Sequence, residues 1–164
     1  RLKSIYYLRI SIKSFSFAEN NTNRWYLMKL SKTSEYALRI LIFMAKKPDE
    51  LYTAKFLVEK LNVSDKYLRR LMTDLSKSGF IKSTQGRDGG YTFAKEIHEI
   101  TLFEVIDSVE GMNKLNDCVL GFDECSCTNP CAMHDEWVVV REKLNQVFTE
   151  TRLSDLDFEK ISRY

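Results

Sequence analysis

No uninterrupted apolar run in this 164-residue sequence approaches the roughly 18 residues needed for a membrane-spanning helix, so no segment is expected to cross a bilayer. Histidine is nearly missing: the two present, His98 and His134, have no evident nucleophile or base partner. That scarcity argues against an enzyme, and no small-molecule substrate suggests itself. Cysteine is absent from all but one stretch, since Cys118, Cys125, Cys127 and Cys131 fall within fourteen residues. A secreted disulfide framework would spread its cysteines to staple distant segments, so the clustering favours a metal, cluster or redox site. Residues 5 to 12 are partly apolar but no small-residue cleavage site follows, and the expected compartment is the cytoplasm.

A large net charge is also lacking, because 25 basic and 23 acidic side chains leave only +2. The distribution is more informative than the total. Residues 53 to 95 hold nine basic groups against four acidic, whereas residues 112 to 164 hold six against ten. The middle of the chain can attract phosphate and the C-terminal part would repel it. Hydrophobic residues make up 44% of the sequence, enough for a core.

From Met28 onward the periodicity is helical. Ala37, Ile40, Leu41 and Met44 form one stripe, ended by Pro48. Thr53 is placed to cap a short second helix with Ala54, Leu57, Val58 and Leu61 inward, and Asn62-Val63 links it to the next cap, Ser64. The third helix turns Leu68, Leu71, Met72 and Leu75 inward and leaves Lys66, Arg69, Arg70 and Lys77 on other faces until Gly79 stops it. Two short helices, a tight turn and a basic second member fit a helix-turn-helix. Residues 80 to 85 and 91 to 93 read as strands around a turn from Gly86 to Gly90. Next to a basic helix-turn-helix this hairpin reads as a wing; taken alone it fits an ordinary surface hairpin equally well.

Thr101 and Glu104 make a capping box for a helix closed by Gly111. Asn129 and Pro130 offer a cap and first position for a long helix reaching about Thr151. Its residues Met133, Trp137, Val140, Leu144 and Val147 make a heptad-like seam that calls for a second chain, with intramolecular packing as the alternative. The expected fold is mainly α with a small β-hairpin wing: a winged helix-turn-helix head plus a long C-terminal dimerisation helix. Its divisions are a leader (1–27), the head (28–111), a cysteine-bearing sensor loop (112–130), the dimerisation helix (131–151) and a tail (152–164). Residues 1–27 are read as translated upstream sequence ahead of a start at Met28, the alternative being a basic arm that touches DNA.

Met28-Lys29-Leu30-Ser31 leading into Tyr36-Ala37-Leu38-Arg39, Ser64 with Lys66-Tyr67-Leu68, Gly86-Arg87-Asp88-Gly89-Gly90-Tyr91, and Glu99-Ile100-Thr101-Leu102 together resemble the Rrf-two family of bacterial transcriptional regulators, from Met28 to about Phe148. The resemblance implies a homodimer that binds double-stranded DNA, expected to be a repressor, with iron-sulfur or nitric-oxide sensing in several members. The implied DNA contacts are Ser64, Lys66, Tyr67, Arg69, Arg70, Lys82, Gln85 and Arg87. Two departures bear on operator choice: Arg69-Arg70 stands where relatives often have an acid-amide pair, and Gln85 where they have an arginine. Either arginine can hold a guanine bidentately or contact phosphate.

Cys118, Cys125 and Cys131 are similar in spacing to the three-cysteine pattern of cluster-binding relatives, with one extra residue in the first gap. Soft, anionic thiolates suit an iron-sulfur cluster. Cys131 is expected in the first turn of the long helix, where the helix dipole would favour its thiolate. The fourth ligand is open among His134, Glu35 donated across the dimer, and Cys127. A 2Fe-2S centre suits the histidine and a 4Fe-4S centre the carboxylate. A structural zinc on Cys125, Cys127, Cys131 and His134, or a reversible disulfide between a near pair, stands beside these. Two rival classes are a non-DNA-binding iron-sulfur redox protein and a zinc-stabilised protein-interaction module.

Overall fold

The computed structural model describes residues 30–111, 117–123 and 125–158, so the leader lies outside the described residues. In chain order the elements are α1 (Lys32–Met44), α2 (Ala54–Leu61), α3 (Asp65–Lys77), β1 (Ile81–Thr84), β2 (Gly90–Phe93), a 3-10 turn (Ile97–Glu99), α4 (Leu102–Glu110), α5 (His134–Glu150) and a second 3-10 turn (Leu153–Asp155). The described residues form a mainly helical winged helix-turn-helix with one two-stranded antiparallel sheet.

The caps set most boundaries. Ser31 accepts from the amides of Thr33 and Ser34 at the start of α1, and Thr53 accepts from Phe56 N at 3.2 Å to start α2. Asn62, at φ 48°, ends α2 in the left-handed region and makes the tight turn into α3. Ser64 occupies the N-cap of α3, although its side chain makes no cap hydrogen bond. Ala37, Ile40, Leu41 and Met44 of α1 pack on Leu57 of α2 and on Leu68, Leu71, Met72 and Leu75 of α3, all fully buried. Each larger aliphatic side chain in that set contributes about 1.5–3 kcal/mol relative to exposure.

Gly79, at φ 76°, turns the chain out of α3 and into the wing. The strands pair Ile81 with Phe93 through to Thr84 with Gly90. Phe80, expected in the strand, is instead a core residue whose carbonyl accepts from Ala94 N at 2.9 Å. Tyr52 ties the wing to the α1–α2 connection by two backbone bonds with Tyr91, both 2.9 Å. The box at α4 is complete: Thr101 Oγ1 accepts from Glu104 N at 3.2 Å and Glu104 Oε2 accepts from Thr101 N at 2.9 Å.

The long helix departs from the expectation at its start. It begins at His134 with Met133 as N-cap, not near Cys131. A turn closed by His134 N donating to Cys131 O at 3.0 Å intervenes, so Pro130 is not the first helical residue and Cys131 is not in the first turn. Beyond α5 the chain returns to the head. Leu102 N donates to Thr151 O and Leu153 N to Ile100 O, while Leu153 is fully buried in the core. No described helix is long and apolar enough to cross a membrane.

Candidate functional site

The outward face of α3 carries Lys66, Arg69 and Arg70, all exposed, one turn or less apart and opposite the buried Leu68, Leu71, Met72 and Leu75. Ser64 is exposed at the helix start. Tyr67 faces α1 instead: its ring meets Tyr36 edge-on at 5.8 Å and its hydroxyl donates to Thr33 Oγ1 at 3.5 Å. Lys66, Arg69 and Arg70 outnumber the one exposed acid of this helix, Asp65, and Tyr67 helps fix the angle at which they are presented.

On the wing the expected residues separate. Gln85 and Arg87 share a groove of about 520 Å³ with Arg69, Tyr91 and Lys55. Lys82 lies in a different recess beside Asp49, Lys95 and Glu96. The division follows the length of the hairpin, because Lys82 sits near its base, next to the Ile81–Phe93 pair, whereas Gln85 and Arg87 lie at the tip between the strands. Lys55 was missed by the sequence reading; its position just inside the Thr53 cap was the signal, since the first turn of a helix attracts phosphate. Arg69 is held by Asp65, Nε to Oδ2 at 2.8 Å, whereas Lys66 and Arg70 make no ion pair among the described residues.

The second site is a cavity of about 220 Å³ bordered by Cys118, Cys125, Cys131 and His134, with Phe122 and Pro130. The loop delivers three thiols and the first residue of α5 delivers the imidazole. Cys125 Sγ lies 3.6 Å from His134 Nδ1, and His134 is buried at 6% exposure. Hydrogen bonds from the Phe122 amide above all, and from those of Leu120 and Gly121 and the Cys131 thiol, hold the Cys118 thiol below its ordinary value of 9.0, against the effect of burial. Gly121, at φ 78°, shapes the turn whose amides converge on that sulfur. Trp137, read from the sequence as packing, also donates its indole N–H to Asp117 O at 2.8 Å, tying α5 to the residue before Cys118.

Cys127 is exposed and stands outside the cavity. Glu35 lies on α1 in ion pairs with Lys32 at 2.8 Å and Arg39 at 3.3 Å. The hydrogen bond from Lys32 is the main reason its carboxyl sits below the ordinary 4.5. Among the described residues no three such side chains converge closely enough to hold a single metal ion. The four donors border one cavity, with Cys125 beside His134 and Cys131 beside Cys118.

An exposed basic helix beside a glycine-tipped wing defines a winged helix-turn-helix DNA-binding transcriptional regulator. The family model described as Rrf2, iron-dependent transcriptional regulator, matches residues 30–157, and the chain belongs to that family. It is 33% identical over 130 residues to the HTH-type transcriptional regulator CymR of Bacillus subtilis (strain 168), covering 79% of this chain and 89% of the relative. It is 30% identical over 131 residues to the HTH-type transcriptional regulator NsrR of Geobacillus kaustophilus (strain HTA426), with 79% and 89% covered. The solved structure of CymR, the global cysteine regulator of B. subtilis, superposes with a TM-score of 0.67 at 28% identity, covering 79% of this chain and 95% of that one. The chain is a DNA-binding regulator and not an enzyme.

Proposed function

We propose that this regulator works in the cytoplasm as a homodimeric repressor whose grip on DNA is set by an iron-sulfur cluster held by Cys118, Cys125, Cys131 and His134. The observation that carries the reading is the shared cavity: four donors separated in sequence border one space. Three soft thiolates and an imidazole fit a 2Fe-2S centre, whose ligands are divided between two irons. The family's description as iron-dependent points the same way. The cluster would supply a centre that is gained, lost or oxidised in response to the cell's iron or redox state.

The chain's own residues couple that site to DNA. His134 opens α5, Trp137 clamps the loop to it, and the far end of α5 is fastened to the head through Thr151 and Leu153. A change of ligation at one end of α5 thereby acts on the head at the other. Val139 (64% exposed), Val140 (44%) and Val147 (43%) leave an apolar face on α5, which a second copy would cover. The dimer would set two α3 helices into successive major grooves about 34 Å apart, with each wing on the flanking backbone.

Anaerobic purification with an absorption spectrum and iron, sulfide and zinc assays tests the site. Visible absorption with about two irons and two sulfides per chain is expected; a colourless protein with one zinc, or with none and a reversible loss of thiols, sinks the cluster reading. Sedimentation tests the dimer, and a monomer at micromolar concentration overturns it. Operator affinity should fall steeply with salt, with a log–log slope of about −0.9 per phosphate neutralised.

A further inference from the structure

We propose that Arg69, braced by Asp65, reads a guanine in each DNA half-site, while Lys66 and Arg70 hold phosphate. The assignment rests on the reading that α3 enters the major groove, and it separates two arginines that the sequence leaves equivalent.

The difference between them is the brace. Arg69 donates Nε to Asp65 Oδ2 at 2.8 Å, one helical turn back, and both side chains remain more than half exposed. The bond occupies one edge of the guanidinium and leaves both Nη groups without a protein partner among the described residues. Guanine presents O6 and N7 side by side in the major groove, a pair that two coplanar N–H donors satisfy together. A guanidinium already fixed in plane loses less freedom on binding than an unrestrained one. Phosphate imposes no comparable plane on its partner and is served by the unpaired Lys66 and Arg70.

An exposed pair of this kind contributes little to folding stability. On a face meant for phosphate, the Asp65 carboxylate also carries an electrostatic penalty. The helix dipole favours a carboxylate in the first turn of α3, and the same carboxylate orients Arg69. Location agrees: Arg69 is in the first half of α3, the part of a recognition helix that meets base edges, and it borders the groove shared with Gln85 and Arg87 of the wing.

Binding-site selection from random duplexes, with the full chain purified anaerobically, tests the proposal. The wild type should select a guanine at one position per half-site, and replacing that base, or using 7-deazaguanine, should weaken binding about 5- to 150-fold. Arg69→Ala and Arg69→Gln should each lose that preference, with melting temperatures confirming that both fold. Arg70→Gln should keep the preference and weaken all sequences alike. Asp65→Asn should bind random DNA as tightly or more tightly while discriminating less, a pairing of effects that a purely structural aspartate would not produce. A guanine preference that survives both Arg69 variants, or disappears with Arg70 instead, overturns the assignment alone. A wild type that selects no sequence overturns the placement of α3 and the assignment with it.

Discussion

Substituting Gly90 by alanine should loosen the wing while leaving the helical head folded. Gly90 starts β2 opposite Thr84, and a Cβ there would lie 2.7 Å from the carbonyl oxygen of Tyr52 and 2.9 Å from Leu51 Cδ2. Leu51 is 43% exposed and can rotate away, but the Tyr52 carbonyl is backbone and has no such freedom. It is also the acceptor for Tyr91 N, and Tyr52 N donates back to Tyr91 O, each at 2.9 Å. The Tyr52 side chain is pinned as well, its hydroxyl donating to Met44 O and Lys47 O at 3.2 Å. Relief of the clash therefore falls on the two bridging hydrogen bonds. At about 0.5–1.5 kcal/mol each, their loss amounts to about 1–3 kcal/mol, or roughly 5- to 150-fold more local opening. Amide exchange should accelerate by that factor at Tyr52 and Tyr91 and stay unchanged at Leu71 in α3, with weaker operator binding as Gln85 and Arg87 lose their position. Wild-type exchange at both tyrosines would refute this account of how the wing is held.

Thr101→Ala should cost about 1 kcal/mol in urea unfolding through loss of the α4 cap. The Glu104 carboxyl lies below its ordinary 4.5 chiefly because the Thr101 amide donates to it. Its stabilising effect is thus present above about pH 4.5 and lost as pH falls through the lower folded value, so wild type and Glu104→Gln should differ near neutrality and converge in acid; a constant difference would count against this. Trp137→Phe keeps an aromatic ring, though a smaller one, but removes the donor to Asp117 O, and iron should leave to a chelator about two- to tenfold faster; an unchanged rate would show that the clamp is idle. Cys127→Ser should retain iron, whereas Cys118→Ser, Cys125→Ser and Cys131→Ser should each lose it. Iron loss on changing Cys127 would contradict the cavity as the binding site.

Where a cap chemistry is local, the sequence was sufficient. Thr53, the Thr101–Glu104 box, Gly79 and Gly111 all act where their residue types place them, because each satisfies backbone groups within its own turn. Asn129-Pro130 failed as a helix start because the chain first makes the Cys131–His134 turn, which brings the cavity wall round before α5 begins. The exposure of Arg69 and Arg70 was legible from helical period alone. That Tyr67 would lean on Tyr36 depends on how α1 packs against α3, which no local pattern records. Residues 152 to 164 read as a tail, yet Leu153 closes the core beside Ile100, a contact between positions more than fifty residues apart.

The coupling between thiol cavity and DNA face is the centre of the account, and one comparison reaches it directly. Operator dissociation constants measured at a single salt concentration, on one anaerobic preparation before and after its iron is stripped, should differ by about 5- to 150-fold, the usual range for coupled sites. Equal affinities in the two forms, with iron and sulfide assays confirming that the first was loaded, would contradict it.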